Sequence, residues 1–453
     1  MKVKNKEHFF RHSRGWFLFS KVIFFYLRLF YKKIVVEGKE NIPNDNPVIF
    51  APNHQNALMD PLVLIYANRM QTVFLARADV FNIPVLRDFF HWLKMLPVFR
   101  IRDGAENLHN NDKSFNFALE VLENSRSVGI FPEATHTNLR RLLPLKKGIP
   151  RLAFLAESKN NFSLGIKVVP VGIHYSDYEK MHSVVHIRFG KPIDVAQFQQ
   201  DFLQNQQKAM LLLRDEISRK LSELTINIRD THRYDTIYRA SELLSKSLLL
   251  HSGKNKMSHK SEFATQLALT RILEEQGVSE ANHTAQLMEQ TENLLTLLDK
   301  AKVRALPFGV KPGIMKIFCL KIGLLLMFPV YLYGAVNGIP KSFLLQLLLR
   351  KFKDRQFHSS VKFLWGLAVA PLFFLIQAAL VWLFTGSFFI GLAYLASLPL
   401  VVIFSKIYRI WFQQFLSAIR LLHQRFFQPQ DFSRLYNSFK TVMDALVKSF
   451  QST

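Results

Sequence analysis

The chain of 453 residues has a single cysteine, Cys319, and few acids: 34 Asp and Glu stand against 59 Lys and Arg. One cysteine excludes an intrachain disulfide, and an oxidising compartment is not implied. No Cys/His cluster has zinc spacing. There is no Gly-x-Ser-x-Gly elbow and no Gly-x-x-x-x-Gly-Lys phosphate loop, so two familiar routes to hydrolase and nucleotide chemistry are missing. What remains is a net charge of +25 beside a hydrophobic content of 49%. That combination suits a protein at a lipid surface better than a nucleic-acid binder.

Residues 48–62 hold the most concentrated chemistry. The apolar run Val48–Ala51 reads as a buried strand, and it ends at Pro52. His54 and Asp60 follow on the connection, and Pro61 opens a new apolar stretch. Asp60 precedes a proline, which pushes it out of the helical region, and Pro61 is favoured at a first helical position. The expected helix therefore starts at Pro61, with Asp60 as its cap, and runs to about Asn68. Six positions separate His54 from Asp60, about 240° on a regular helix. The two meet only if the loop folds back. Taken alone, these residues favour a plain capping aspartate and a loop histidine.

Four blocks in order change that weighting. The first is the stretch with His54 and Asp60. The second is Leu96-Pro97-Val98-Phe99-Arg100-Ile101-Arg102. The third is Phe131-Pro132-Glu133-Ala134-Thr135-His136, followed by Leu143-Pro144-Leu145-Lys146-Lys147-Gly148. The fourth is Val168-Val169-Pro170-Val171-Gly172. Together they resemble the glycerolipid acyltransferases, the PlsC-like family acylating glycerol 3-phosphate and 1-acylglycerol 3-phosphate, over roughly residues 35–195. Three departures stand out. Five residues rather than four separate His54 from Asp60, Ala134 replaces the usual glycine, and His136 stands where the family has an arginine. The spacing and the histidine are similar to fungal-type acyltransferases that use glycerol 3-phosphate or dihydroxyacetone phosphate.

The resemblance implies acyl transfer from a thioester, acyl-CoA or acyl carrier protein, to a phosphate-bearing glycerol acceptor, with no further cofactor and no metal. His54 is then the base, since imidazole titrates near neutrality, and Asp60 holds its tautomer. Arg100 and Arg102 suit the acceptor phosphate, because guanidinium is a planar cationic fork. Glu133 and His136 belong to the acceptor site, and Lys146, Lys147 and Pro170 to the donor or acyl site. Outside the resemblance, Arg100 and Arg102 read as a solvated strand edge, and a lysine pair such as Lys146 and Lys147 is more often just solvated. The alternative for the whole chain is a weak or inactive member of the same fold acting as a membrane-bound scaffold.

Residues 1–34 hold nine Lys/Arg against one acid. Arg14, Lys21, Arg28 and Lys32 share one helical face opposite Trp16, Phe17, Phe24, Phe25, Leu29 and Phe30. This reads as an amphipathic helix at the membrane interface rather than a span. Residues 35–195 alternate strands and helices: an α/β sandwich with one main sheet flanked by helices. Strands are expected at 34–37, 48–51, 72–76, 127–131, 166–172 and 184–189, and helices at 61–68, 83–94, 112–124 and 148–157. Residues 196–310 form a polar helical region, and 311–410 a membrane-embedded helical region. Phe363–Ser405 carries no charge and is long enough for two spans, with a turn at Thr385–Ser387. Ile322–Pro340 is a third uncharged run whose prolines and glycines suggest a bent, re-entrant segment. Residues 411–453 form an amphipathic tail. Basic flanks place the catalytic domain on the cytoplasmic side, at the inner membrane.

Overall fold

The computed structural model describes residues 7–10, 13–81, 84–98, 109–135, 137, 139–251, 258–279, 281–302 and 314–451. The chain divides into two compact units: Met1–Asn227 with Asp354–Ser360, and Ile228–Lys353 with Val361–Thr453.

The first unit is built on one mixed sheet. Its strands are β1 (Lys33–Glu37), β2 (Val48–Pro52), β3 (Val73–Arg77), β4 (Met95–Val98), β5 (Val128–Gly129), β6 (Lys167–Tyr175), β7 (Val184–Phe189) and β8 (Ile193–Asp194). The order is β1-β7-β6-β2-β5-β3-β4, with β8 beside β6. Neighbours are parallel except β6–β7 and β6–β8. The helices of this unit are α1 (Glu7–Phe10), α2 (Arg14–Phe30), α3 (Met59–Asn68), α4 (Pro84–Trp92), α5 (His109–Glu123), α6 (Gly148–Lys159), α7 (Gln199–Gln204) and α8 (Gln206–Leu224).

Every residue of β2 is buried, as a parallel strand covered on both faces requires. Ile49 and Ala51 join the core formed with α5, α6 and α8, including Val121, Leu152 and Leu213. Phe50 points the other way, its ring 6.1 Å from that of Phe189. Because β5, β2 and β6 run side by side and parallel, their C-terminal ends open at one edge. Ligand sites of such sheets lie there.

Three details differ from the reading above. Strands β4 and β8 are additional; both are short, and Pro97 within β4 and Pro192 just before β8 mask the alternation. The helix after β2 starts at Met59, not Pro61, and its cap is Leu58, which makes no side-chain cap bond. Asp60 therefore lies inside the first turn, where its carboxylate turns back to the loop. In α2, Trp16 and Phe30 are buried with Ser20, Ile23 and Leu27. Phe17, Leu18, Val22, Phe25 and Leu29 are the apolar side chains left exposed. The helix thus has two apolar stripes, one for the domain and one facing out.

The second unit is helical. α9 (Tyr234–His251), α10 (His259–Ser279), α11 (Ala281–Lys300) and α16 (Pro429–Gln451) pack together. In α16, Leu435, Phe439, Val442, Met443 and Leu446 form the buried stripe. The apolar helices are α12 (Ile314–Arg350), α13 (Gln356–Leu364), whose residues up to Ser360 belong to the first unit, α14 (Ala370–Thr385) and α15 (Phe388–Phe427), with a π-helical turn at Trp365–Val369 between α13 and α14. Ile317–Arg350, Gln356–Thr385 and Phe388–Phe427 are each long and apolar enough to cross a membrane. Gly386 takes φ +65 at the end of α14, so the turn falls where Thr385–Ser387 was expected. The Ile322–Pro340 run lies within one continuous helix, with Pro329 and Pro340 inside it. A Cβ on Gly334 would stand 2.2 Å from Val401 Cγ1; the glycine lets α12 and α15 approach closely, as helices do in lipid.

Candidate active site

The connection from β2 to α3 is held largely by side-chain hydrogen bonds. Asn53 extends the β2–β6 ladder with its amide group: Oδ1 accepts from Ile173 N at 2.6 Å, and Nδ2 donates to Ile173 O at 3.0 Å. Next along the chain, the His54 backbone N–H donates to Glu133 Oε1 at 2.8 Å. Asp60 then closes the loop. Its Oδ2 accepts from His54 Nδ1 at 2.8 Å and from the Gln55 and Asn56 backbone N–H groups, each at 2.7 Å. Its Oδ1 accepts from the Tyr175 hydroxyl at 2.8 Å. Ala57 takes φ +36 to make the reversal, a strained value for a residue with a Cβ. The loop therefore folds back as the His54–Asp60 spacing requires.

The chemistry of the pair follows from these bonds. Asp60 is fully buried, and a carboxylate only accepts, so His54 Nδ1 carries its proton and donates. That leaves Nε2 as the ring's basic atom. The His54 side chain is 18% exposed, enough for a substrate to reach it. Its ring lies 4.3 Å from that of Phe131, centroid to centroid. Burial, with the Asp60 charge next, pushes the Tyr175 hydroxyl well above its ordinary pKa, which keeps it a donor to Asp60.

Glu133 is 1% exposed and bridges two loops. Oε1 holds His54 N, and Oε2 accepts from Leu143 N at 2.9 Å. Burial pushes its carboxyl up to about 7, against the opposing pull of those two N–H groups. Ala134, at the glycine position of the third block, takes φ +56. That is the left-handed region where glycine costs least.

Lys146 and Lys147 are exposed. The Lys147 ammonium donates to Gln207 Oε1 at 3.0 Å, and the Lys146 backbone N–H to Pro132 O at 2.8 Å. Pro170 is buried in β6 opposite Ala51, and its carbonyl accepts from Gly190 N at 2.9 Å. Arg100, Arg102 and His136 lie outside the described residues. Two residues went unnoticed in the sequence. Tyr175 stands 115 positions from Asp60, with only its place at the end of a strand to mark it. Arg140 is 2% exposed, its guanidinium 3.6 Å above the Tyr178 ring. The carbonyl of Tyr178 accepts from Asn56 Nδ2 at 3.3 Å, which brings that cation to the same edge of the sheet.

An apolar cleft adjoins the pair. It holds about 510 Å³ of empty space, part of it open to solvent, between α2 and α3. Trp16, Phe19 and Ile23 line it from α2, Leu58, Pro61 and Ile65 from the start of α3, and Phe74 and Met95 from the sheet. Leu58 and Pro61 flank Asp60 in sequence, so the cleft begins where the polar site ends.

Residues 33–174 match the acyltransferase family. Over 201 residues the chain is 27% identical to the 1-acyl-sn-glycerol-3-phosphate acyltransferase of Borreliella burgdorferi, covering 43% of this chain and 74% of that protein. It is 23% identical over 302 residues to glycerol-3-phosphate O-acyltransferase 1 of Saccharomyces cerevisiae, covering 59% of this chain and 37% of the yeast protein. A chloroplastic 1-acyl-sn-glycerol-3-phosphate acyltransferase of Arabidopsis thaliana is 30% identical over 142 residues, 31% of this chain and 35% of that one. The chain thus spans little more than a third of the yeast and plant proteins. Among solved structures, the 1-acyl-sn-glycerophosphate acyltransferase PlsC from Thermotoga maritima aligns at 24% identity with a TM-score of 0.34, over 48% of this chain and 82% of that chain.

Proposed function

We propose that the chain, whose residues 33–174 match the acyltransferase family, transfers a fatty acyl group from a thioester to glycerol 3-phosphate or 1-acylglycerol 3-phosphate at a membrane. The observation that carries this reading is the His54–Asp60 pair at the C-terminal end of β2, Nδ1 to Oδ2 at 2.8 Å.

In the proposed mechanism His54 Nε2 takes the proton of the acceptor hydroxyl as its oxygen attacks the thioester carbonyl. Asp60 fixes the tautomer and stabilises the imidazolium. The C–S bond then breaks, and the imidazolium returns the proton to the departing thiolate, so one ester and one thiol are formed. No other cofactor enters. The acyl chain occupies the apolar cleft between α2 and α3, where burial of each methylene is worth about 0.8 kcal/mol. Glu133 acts by holding the His54 backbone and the Leu143 loop. Arg100, Arg102 and His136 bind the acceptor phosphate, and Lys146 and Lys147 draw the anionic donor.

The exposed stripe of α2 and the three long apolar helices support a membrane-bound enzyme; in this reading the basic flanks of the apolar runs put the acyltransferase domain on the cytoplasmic side of the inner membrane. The test is purified full-length protein in phospholipid vesicles, given acyl-CoA or acyl carrier protein thioester with each acceptor in turn. Acylation of one acceptor supports the reading. No transfer with any donor–acceptor pair contradicts it and favours a scaffold of the same fold.

A further inference from the structure

The loop that carries His54 is also held from its outer side, by the segment that leads into the apolar helices. We propose that Ser360 is a positioning residue for that loop, setting where His54 stands relative to the acceptor hydroxyl. The proposal rests on the acyl-transfer reading above and adds a determinant of the same site from outside the acyltransferase-family segment.

The Leu58 backbone N–H donates to Ser360 Oγ at 3.2 Å, across 302 residues of sequence. The need for such a partner is local. Leu58 caps α3, and the first N–H groups of a helix have no acceptor within it. The carboxylate best placed to cap them, Asp60, is committed to Gln55, Asn56, His54 and Tyr175. Ser360 supplies the acceptor for Leu58 instead, and it is 5% exposed.

Neighbouring residues of the segment seat it on the same loop. Ser359 is 1% exposed and faces Tyr31. The Tyr31 ring lies 5.9 Å from that of Tyr175, the residue that donates to Asp60. Arg355 and His358 reach Glu179 at 3.6 and 3.7 Å, next to Tyr178, whose carbonyl holds Asn56. The loop between β2 and α3 has no regular structure and contains the strained Ala57. Its shape is imposed by these anchors: Glu133 at His54, Asp60 at Gln55 and Asn56, and Ser360 at Leu58. Loss of the last one lets the corner between His54 and Asp60 shift, and a misplacement of about 1 Å costs on the order of 10²-fold in rate.

The test uses the full chain in phospholipid vesicles. In Ser360→Ala, kcat falls about 10–100-fold, while KM for acceptor and donor and the thermal unfolding midpoint stay near wild type. Ser360→Thr keeps the hydroxyl and recovers most of the rate. Hydrogen exchange of the amides of residues 55–60 quickens about tenfold in the alanine variant. Glu179→Gln, on a half-exposed side chain, loosens the same segment without removing the Leu58 bond, and lowers kcat by a smaller factor; it serves if Ser360→Ala does not fold. Unchanged kcat in both Ser360→Ala and Glu179→Gln, a threonine variant no better than alanine, or unchanged exchange at residues 55–60 overturns the proposal. Wild-type protein inactive with every donor and acceptor overturns the acyl-transfer reading instead, and the exchange measurement still judges Ser360 as an anchor.

Discussion

The Tyr175 hydroxyl donates to Asp60 Oδ1 at 2.8 Å, and the opposite oxygen of the same carboxylate holds His54 Nδ1 at 2.8 Å. A strand end and a loop thus meet at one buried carboxylate. Replacing Tyr175 by Phe leaves Asp60 Oδ1 without that donor. A buried group left short of a partner costs about 1–3 kcal/mol, so Tyr175→Phe is expected to unfold at lower temperature and to turn over more slowly. A variant as stable and active as wild type contradicts the role.

Asp60→Asn tests the other side of the pair. An amide presents donors toward the Gln55 and Asn56 N–H groups and favours the wrong imidazole tautomer. In a serine protease triad this exchange costs about 10⁴-fold in kcat, and a loss of that order is expected here. The diagnostic reading is a kcat effect far larger than any change in acceptor KM, measured by steady-state acyl transfer.

Much of this site can be read from the residues. The strand Val48–Ala51, the punctuation at Pro52 and Pro61, and the need for the loop to fold back all follow from local rules. So do the paired apolar runs around Gly386. What local rules miss is set by distance. Asp60 looks like a cap because it precedes Pro61, yet its carboxylate is drawn to backbone N–H groups behind it. Tyr175 and Ser360 become legible only once β6 and α13 are placed. Glu133 has no visible duty in sequence because its partners are backbone groups. The two stripes of α2 are likewise indistinguishable by composition, and packing alone decides that Trp16 turns inward while Phe17 does not.

Glu133 gives a pH prediction. Its folded pKa, about 7, lies above the ordinary glutamate value of 4.5. The folded state therefore binds more protons than the unfolded state between those values. Stability from this group is fully present below about pH 4.5 and is lost as pH rises through about 7, with a span of order 3 kcal/mol. Glu133→Gln is expected to remove that slope. Thermal unfolding of both proteins across this window checks it, and parallel curves contradict the assignment.

Ala134 gives a stability prediction of the opposite sign. At φ +56 its Cβ costs about 1–2 kcal/mol, partly offset by the extra freedom glycine has when unfolded. Ala134→Gly is expected to stabilise the fold by about 0.5–1 kcal/mol. A lower unfolding midpoint would show that the methyl group has a packing role.

The most direct measurement is acyl transfer by His54→Ala beside wild type, with acyl-CoA and acyl carrier protein thioesters and with both glycerol phosphates. Removal of a general base is expected to lower kcat by about 10²–10⁴-fold, with the circular dichroism spectrum and unfolding midpoint retained. A folded His54→Ala protein that turns over within a few-fold of wild type contradicts the account.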